Sequence, residues 1–390
     1  MIDTTKTVGN SETFEPKKIQ ELLCKGVVNN VSNLEKALFS LEYLGQLKRA
    51  GLDFVFKGGS AVQVVLADKW SRLSVDVDIC SDVSEKELQD ILDNVYSTFD
   101  RQVFAFKARS RVIEGAVPFY LYIFEAPSIT AVGEYRSCLL DVMGAKPNYA
   151  TTQVILKTPF YGSSETITVP TLGALLGDKL STIGPNTVGR NLVDSRNGVE
   201  YAKHFYDIAH LVEAGGSFSF RDCCLAFSEA VRLQSKIRGK SFLVEECCED
   251  LFFTCKVASL SGSVGEHAIN RLSSLHQQTR ARCEFRILRD GLARFRPFLV
   301  RGFAYLWDDF RYYAALTALL TKMVQLDVPE QKVAALLSLG VPSKRGEILA
   351  IADKLVAVPE SERWFIQLDE MINFPKILQT WYNYFTLKTC

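Results

Sequence analysis

A chain of 390 residues is long enough to bury one large domain or two of ordinary size. Its 45 lysines and arginines balance 45 aspartates and glutamates, which excludes a whole-chain bias towards nucleic acid or an anionic membrane and leaves electrostatic steering to local patches. Met1 to Asn10 is mostly polar and no apolar run approaches the roughly 20 residues of a membrane span, so a cytoplasmic protein with no membrane partner is expected.

After the polar start, Asn33 to Ala50 reads as a helix, with Leu34, Leu38, Leu41 and Leu44 at three- and four-residue intervals. Phe54-Val55-Phe56 is a short buried strand stopped by Gly58-Gly59, and Ser60 is placed to cap a helix running through Leu66. From Ser74 to Cys80 the residues alternate: Val75, Val77 and Ile79 take one face, and Ser74, Asp76, Asp78 and Cys80 the other. Ser84 and Glu87 form a capping-box pattern for a helix to about Tyr96. Strand-like runs follow at Val103 to Ala108, Phe119 to Phe124 and Cys138 to Met143.

From Thr171 the pattern is helical to the C-terminus, apart from loops around Gly184-Pro185 and Gly215-Gly216. The second loop marks the expected boundary between a mixed catalytic unit, residues 1–214, and a helical unit, residues 215–390. Ten cysteines without regular spacing fit a reducing compartment. Cys223-Cys224, Cys247-Cys248 and Cys255 lack the two-residue spacer of a zinc knuckle and read as reduced, mostly buried thiols.

Two segments carry the chemistry. Glycines at 58 and 59 let the backbone approach a phosphate closely, and the helix that follows points unpaired N–H groups at it, with the Ser60 hydroxyl to add. Asp76 and Asp78, about 7 Å apart at Cα on one strand face, can converge on one divalent ion. Asp141, an acid among apolar strand residues, is the natural third carboxylate. The bland alternative is a solvated strand face. An anion cradle beside paired carboxylates points to nucleotidyl transfer, in which phosphoryl charge must be neutralised while an acceptor oxygen attacks. Neither a haloacid-dehalogenase-type phosphatase nor a metal-dependent glycosyltransferase accounts for Gly-Gly-Ser upstream of the acid pair.

The string Phe56-Lys57-Gly58-Gly59-Ser60, then Arg72-Leu73-Ser74-Val75-Asp76-Val77-Asp78, resembles the first motif of the AbiEii/AbiGii-type nucleotidyltransferase toxins. Leu34-Glu35-Lys36 is similar to that family's Glu-Lys-Asp helix, with Ala37 where aspartate is usual. Gly177-Asp178-Lys179-Leu180 resembles its phosphate-binding lysine segment; independently, Lys179 falls seven residues after Leu172, in the stripe of Leu175, Leu176 and Ile183, and so turns inward towards an anion. Lys203-His204-Phe205-Tyr206-Asp207-Ile208 resembles the last motif, with Lys203 for arginine. The bland reading of Lys203 and Asp207 is an exposed i,i+4 ion pair worth about 0.3–0.5 kcal/mol.

The resemblance spans about Leu34 to Leu211 and implies an α+β fold: a polymerase-β-like core with a mixed sheet, followed by a mostly helical half. It implies a magnesium-dependent toxin of a toxin–antitoxin or abortive-infection (phage-defence) system, manganese being the alternative ion. Such an enzyme moves a nucleoside monophosphate from a nucleoside triphosphate to an RNA acceptor, the 3′ end of transfer RNA, and has a separate antitoxin partner. By resemblance Gly58, Gly59, Ser60 and Lys179 hold the nucleotide, Asp76 and Asp78 the metal with Asp141, and Asp207 activates or orients the acceptor. A protein or small-molecule acceptor, or a non-catalytic nucleotide- or partner-binding module, are the alternatives.

For the acceptor, Arg282, Arg286, Arg289 and Arg296 repeat at helical spacing near Arg294, Arg301, Phe285, Phe295 and Phe298. The stripe suits an RNA backbone with stacking aromatics, and equally a solvated face, since Glu284 and Asp290 interrupt it. His204, His210, His267 and His276 read as structural or surface residues.

Overall fold

Leu34, Leu38, Leu41 and Leu44 are fully buried and set the orientation of α2 (Val31–Arg49), which Asn30 caps by accepting a hydrogen bond from the Asn33 N–H at 2.9 Å. The computed structural model describes residues 2–69, 71–109, 116–214, 218–262, 265–300, 302–338 and 340–387. Before α2 comes α1 (Pro16–Cys24). After it come β1 (Val55–Lys57), α3 (Gly58–Leu66), β2 (Val77–Cys80) and α4 (Glu85–Thr98), the last capped by the Ser84 hydroxyl. Then follow β3 (Ala105–Ala108), β4 (Phe119–Pro127), β5 (Tyr135–Met143), β6 (Thr151–Thr158) and β7 (Tyr161–Pro170).

The strands form one mixed sheet in the order β3-β4-β5-β2-β1-β7-β6. β2 runs parallel to β5 and β1 parallel to β7; the other neighbours are antiparallel. The β6–β7 hairpin is not among the expected strands. It closes one edge, and β6 buries only Leu156 and Thr158, so its sequence lacks a sustained apolar alternation.

Val77, Ile79, Leu140 and Val142 turn from β2 and β5 into a core shared with α2. The opposite face of the same strands therefore carries Asp78, Asp141 and Met143.

The helical part comprises α5 (Leu172–Leu180), α6 (Asn197–Ala214), α7 (Phe220–Arg238), α8 (Val244–Ala258), α9 (Gly265–Ile269) and α10 (Leu275–Ala293). It continues through α11 (Trp307–Gln325), α12 (Glu330–Leu337), α13 (Arg345–Val356), α14 (Leu368–Met371) and α15 (Pro375–Thr386). The expected boundary at Gly215-Gly216 lies outside the described residues. Packing runs across that position: Leu175 and Leu176 of α5, and Tyr201, Phe205 and Leu211 of α6, share one core with Leu251, Phe310 and Trp381. α6 crosses α10 where Gly198 meets Gly291, and a Cβ at Gly291 would stand 2.0 Å from the Gly198 carbonyl carbon.

A strap after α10 returns to the sheet. Leu73 N–H donates to Phe298 O at 2.7 Å, Val300 N–H to Ser71 O at 3.0 Å, and the Asn33 side chain to Pro297 O at 3.2 Å. The described cysteines are all free, those at 223, 247, 248 and 255 buried. Among the described residues no helix is long and apolar enough to cross a membrane.

Candidate active site

Sheet register assembles the acids. Asp78 pairs with Lys57 on β1 and with Asp141 on β5; β2 begins at Val77 and not at Ser74 as expected, so Asp76 stands just before the strand, lining the same cavity as Asp78. Neighbouring strands are about 4.8 Å apart, so these carboxylates share one small region. Burial first, then Asp141 and Asp76, push the Asp78 carboxyl up to about 7, against the pull of Lys179 and Lys57. Burial also raises Asp76.

β1 turns into α3 directly over this pair. Gly58 has φ +76°, and a Cβ there would stand 2.0 Å from Asp78 Oδ2; at Gly59 it would meet Arg72 Nη2 at 2.6 Å and Ser74 Oγ at 2.7 Å. Only glycines let the chain lie this close to the acids while the first turn of α3 faces them.

Behind the acids is a buried cation cluster. Arg72 forks onto Asp207, Nε to Oδ1 and Nη2 to Oδ2, both at 2.6 Å, and Lys179 Nζ lies 2.9 Å from Asp207 Oδ2. All three are at most 5% exposed. Burial acts to raise the Asp207 carboxyl, yet Arg72 and Lys179 hold it well below the usual carboxylate range. Two cations on one carboxylate leave a net positive wall. A second pair, Lys57 Nζ to Asp178 Oδ1 at 3.2 Å, stands beside it.

These groups, Asp207 excepted, line a cavity of about 670 Å³, a volume suited to a nucleotide. Lys203, Glu200 and His204 of α6 line it, as do Arg190 and α7. Its chemistry, carboxylates beside a glycine turn and a cation cluster, is what phosphoryl transfer needs.

The model of a protein family described as "Nucleotidyl transferase AbiEii toxin, Type IV TA system" matches residues 44–290, more than half of the chain. This chain belongs to the AbiEii family. It is therefore a nucleotidyltransferase, of a family of toxins in type IV toxin–antitoxin systems. No curated protein matches it. The AbiEii match contains every cavity element named above and runs on into α10, while Leu34-Glu35-Lys36 lies before it. Glu35 is fully buried and accepts hydrogen bonds from Ser128, Thr130 and Arg136, which ties α2 to the β4–β5 hairpin.

In this AbiEii protein Ser60 departs from expectation. It does not cap α3, which begins two residues earlier after Lys57; it is 1% exposed, and its hydroxyl donates to the Asp76 carbonyl at 2.6 Å. The hydroxyl secures the acid-bearing segment rather than facing the cavity. Lys179 is turned inward as its phase requires, and the anion it meets is Asp207. Both Asp207 oxygens are engaged, Oδ1 by Arg72 and Oδ2 by Arg72 and Lys179, which suits holding the two cations in place.

Lys203 does not pair with Asp207. One helical turn separates them, but Lys203 Nζ bonds Glu200 at 2.9 Å and lies 4.2 Å from the Phe298 ring centre, while Asp207 turns to Arg72. Burial works against ionisation of Glu200, yet Lys203 brings it down to about 2. His204 lines the cavity instead of serving only as packing; burial and Lys179 push its imidazole down to about 3, so it is neutral at pH 7.

The arginine stripe is divided. Arg282 pairs with Glu266, Arg294 bonds the Ser195 carbonyl, Arg286 and Arg296 are exposed, and Arg301 lies outside the described residues. Phe295 is 1% exposed among Tyr206 and Tyr305, which removes it as a stacking platform.

Sequence reasoning assigned no role to Arg72, Lys57, Glu200 or Arg190. The signal for Arg72 was a cation set beside the apolar approach to β2, where burial demands a partner; its partner lies 135 residues away.

Proposed function

We propose that this nucleotidyltransferase moves a nucleoside monophosphate from a nucleoside triphosphate to an RNA acceptor, the 3′ end of transfer RNA, using a divalent cation, magnesium or alternatively manganese. The observation that carries the reading is the register of Asp78 against Asp141, with Asp76 lining the same cavity, under the Gly58-Gly59 turn.

The all-oxygen donor set of Asp76, Asp78 and Asp141 suits a hard cation, and the upward push on Asp78 marks a surplus of negative charge that such an ion relieves. Among the described residues no three acidic, histidine or cysteine side chains already stand at metal-ligand spacing, so the carboxylates must draw together on the ion. The bound cation would neutralise phosphoryl charge at the α-phosphorus.

The chain supplies the rest. The first turn of α3 presents N–H groups to phosphate, Lys179 and Arg72 give the wall its positive charge, and Lys203 and Arg190 face the same cavity. Asp207 fixes Arg72 and Lys179 in place. Whole-chain neutrality leaves the RNA acceptor to be held by local groups, with exposed Arg286 and Arg296 as candidates.

The test is incubation with magnesium, each labelled triphosphate in turn and total transfer RNA, beside Asp76→Ala. Label on RNA that vanishes in the variant and with chelator is the expected result. Label on protein or on a small molecule instead would replace the acceptor, and no transfer under any condition would overturn the reading.

A further inference from the structure

The cavity has two unlike ends, and strand register orders them. Along β5 the residues facing the cavity are Leu139, Asp141 and Met143; β2 runs beside it with Asp78 at Asp141 and Cys80 at Met143, and β4 places Phe119 opposite Met143. Met143 and Phe119 thus lie about 7 Å beyond Asp141, on the side away from Asp76. Lys203 and Arg190, which line the cavity with Glu200, act on Asp76, while Lys57 beside Cys80 is paired with Asp178, so the Asp76 end carries the larger share of cations.

A nucleotide with its α-phosphorus at the acids runs from there in two directions, to the outer phosphates and to the nucleoside. The cationic end suits the phosphates. The opposite end is walled by Phe119, Met143, Leu233 and Ile237, an apolar surface for the flat face of a base.

Two polar groups, Tyr149 and Gln234, line the cavity as well. The Tyr149 hydroxyl is buried and has no hydrogen-bond partner among the described residues, and the Gln234 amide makes no hydrogen bond among them either. Both line the one cavity, and Asn148 N–H, which donates to Glu229 Oε1 at 3.0 Å, sets the Tyr149 segment beside α7, which carries Gln234. Leaving the buried Tyr149 hydroxyl unsatisfied is costly unless a ligand completes it, and the half-buried Gln234 amide lines the same cavity.

We propose that the α7 end of the cavity binds the nucleobase of the incoming nucleotide and that Gln234, with Tyr149, reads its edge and sets which triphosphate is used. The carboxamide offers a donor and an acceptor side by side, the pattern that pairs with a base edge, and the phenol adds one further hydrogen bond. This inference rests on the nucleotidyl-transfer reading above.

The test compares all four nucleoside triphosphates, by transfer and by equilibrium binding of their non-hydrolysable α,β-analogues, in the full chain and in Gln234→Ala, Gln234→Glu and Tyr149→Phe. The expected result is a wild-type preference among the four whose ratio changes about 10-fold or more in Gln234→Ala. Gln234→Glu should reorder the preference, and Tyr149→Phe should change it less. Inorganic pyrophosphate binding and thermal midpoint should stay as in wild type. An unchanged ratio, a wild type indifferent to the base, or equal weakening of all four nucleotides together with pyrophosphate would overturn the proposal. So would a change confined to acceptor-RNA affinity, which would place an acceptor base in this lobe. A wild type that transfers nothing yet binds the four analogues with a Gln234-dependent ratio would sink the transfer reading and leave this one standing.

Discussion

Arg72 and Asp207 meet as a two-pronged ion pair, both contacts 2.6 Å, joining the segment before β2 to α6 across 135 residues of sequence. Lys179 completes the cluster from α5. Asp207→Ala leaves two buried cations uncompensated and should cost about 3–5 kcal/mol in denaturant unfolding. Asp207→Asn keeps the shape and should cost less while still abolishing most transfer. Equal stability of the alanine variant and wild type would show that the cluster is not the anchor described here.

Gly58→Ala should lose nearly all activity. The added methyl meets Asp78 Oδ2 at 2.0 Å and the backbone is held at φ +76°, so both strain and displacement of the acid follow. Gly59→Ala should be milder, since no left-handed backbone is required there and the Ser74 hydroxyl can turn away, although Arg72 Nη2 at 2.6 Å must move against its ion pair with Asp207. Steady-state rates of the two variants at saturating nucleotide compare them directly.

Asp78→Asn should inactivate the enzyme yet stabilise the fold at alkaline pH. The Asp78 pKa is raised in the folded chain to about 7 from 3.8, so the stability it contributes is complete below about pH 4 and is lost as pH rises to about 7. The asparagine variant escapes that loss. Its advantage should be near zero at pH 4 and about 1–3 kcal/mol at pH 8 without added metal. Thermal midpoints at the two pH values measure it, and millimolar magnesium should shrink the difference at pH 8.

Phe298 carries Lys203 on its ring face at 4.2 Å and lies on the strap that bonds Leu73, next to Arg72. Phe298→Ala should weaken triphosphate binding by about 0.5–1 kcal/mol through the lost cation–π contact, with Phe298→Tyr close to wild type. A nucleotide titration of both variants decides it.

Phe295→Ala should act on the fold and not on RNA. Its ring is 1% exposed, and truncation of such a side chain costs about 3–5 kcal/mol. Arg286→Glu with Arg296→Glu should instead lower RNA affinity and flatten its salt dependence while leaving the melting temperature near wild type.

Much of the site was legible because its residues are local. The 3.6-residue period of α5 turns Lys179 inward, as it stands in the fold; β2 begins only at Val77, so Asp76 precedes the strand, yet it lines the same cavity as Asp78. The β6–β7 hairpin was not legible, because an edge hairpin with few buried positions leaves almost no periodic signal.

What lies beyond one element depended on tertiary structure. Ser60 directly follows the Gly58-Gly59 turn, in the pattern of a cap, but α3 starts at Gly58 and the hydroxyl finds the Asp76 carbonyl. Lys203 and Asp207 had the spacing of a surface pair, yet a buried Arg72 fork is the stronger partner for Asp207, and Glu200 takes Lys203. The sequence by itself determined which residues share a strand face or a helix stripe, since backbone geometry repeats at short range. Only the tertiary structure decided which buried charge each of them meets, since that choice is made by desolvation and contact between segments more than a hundred residues apart.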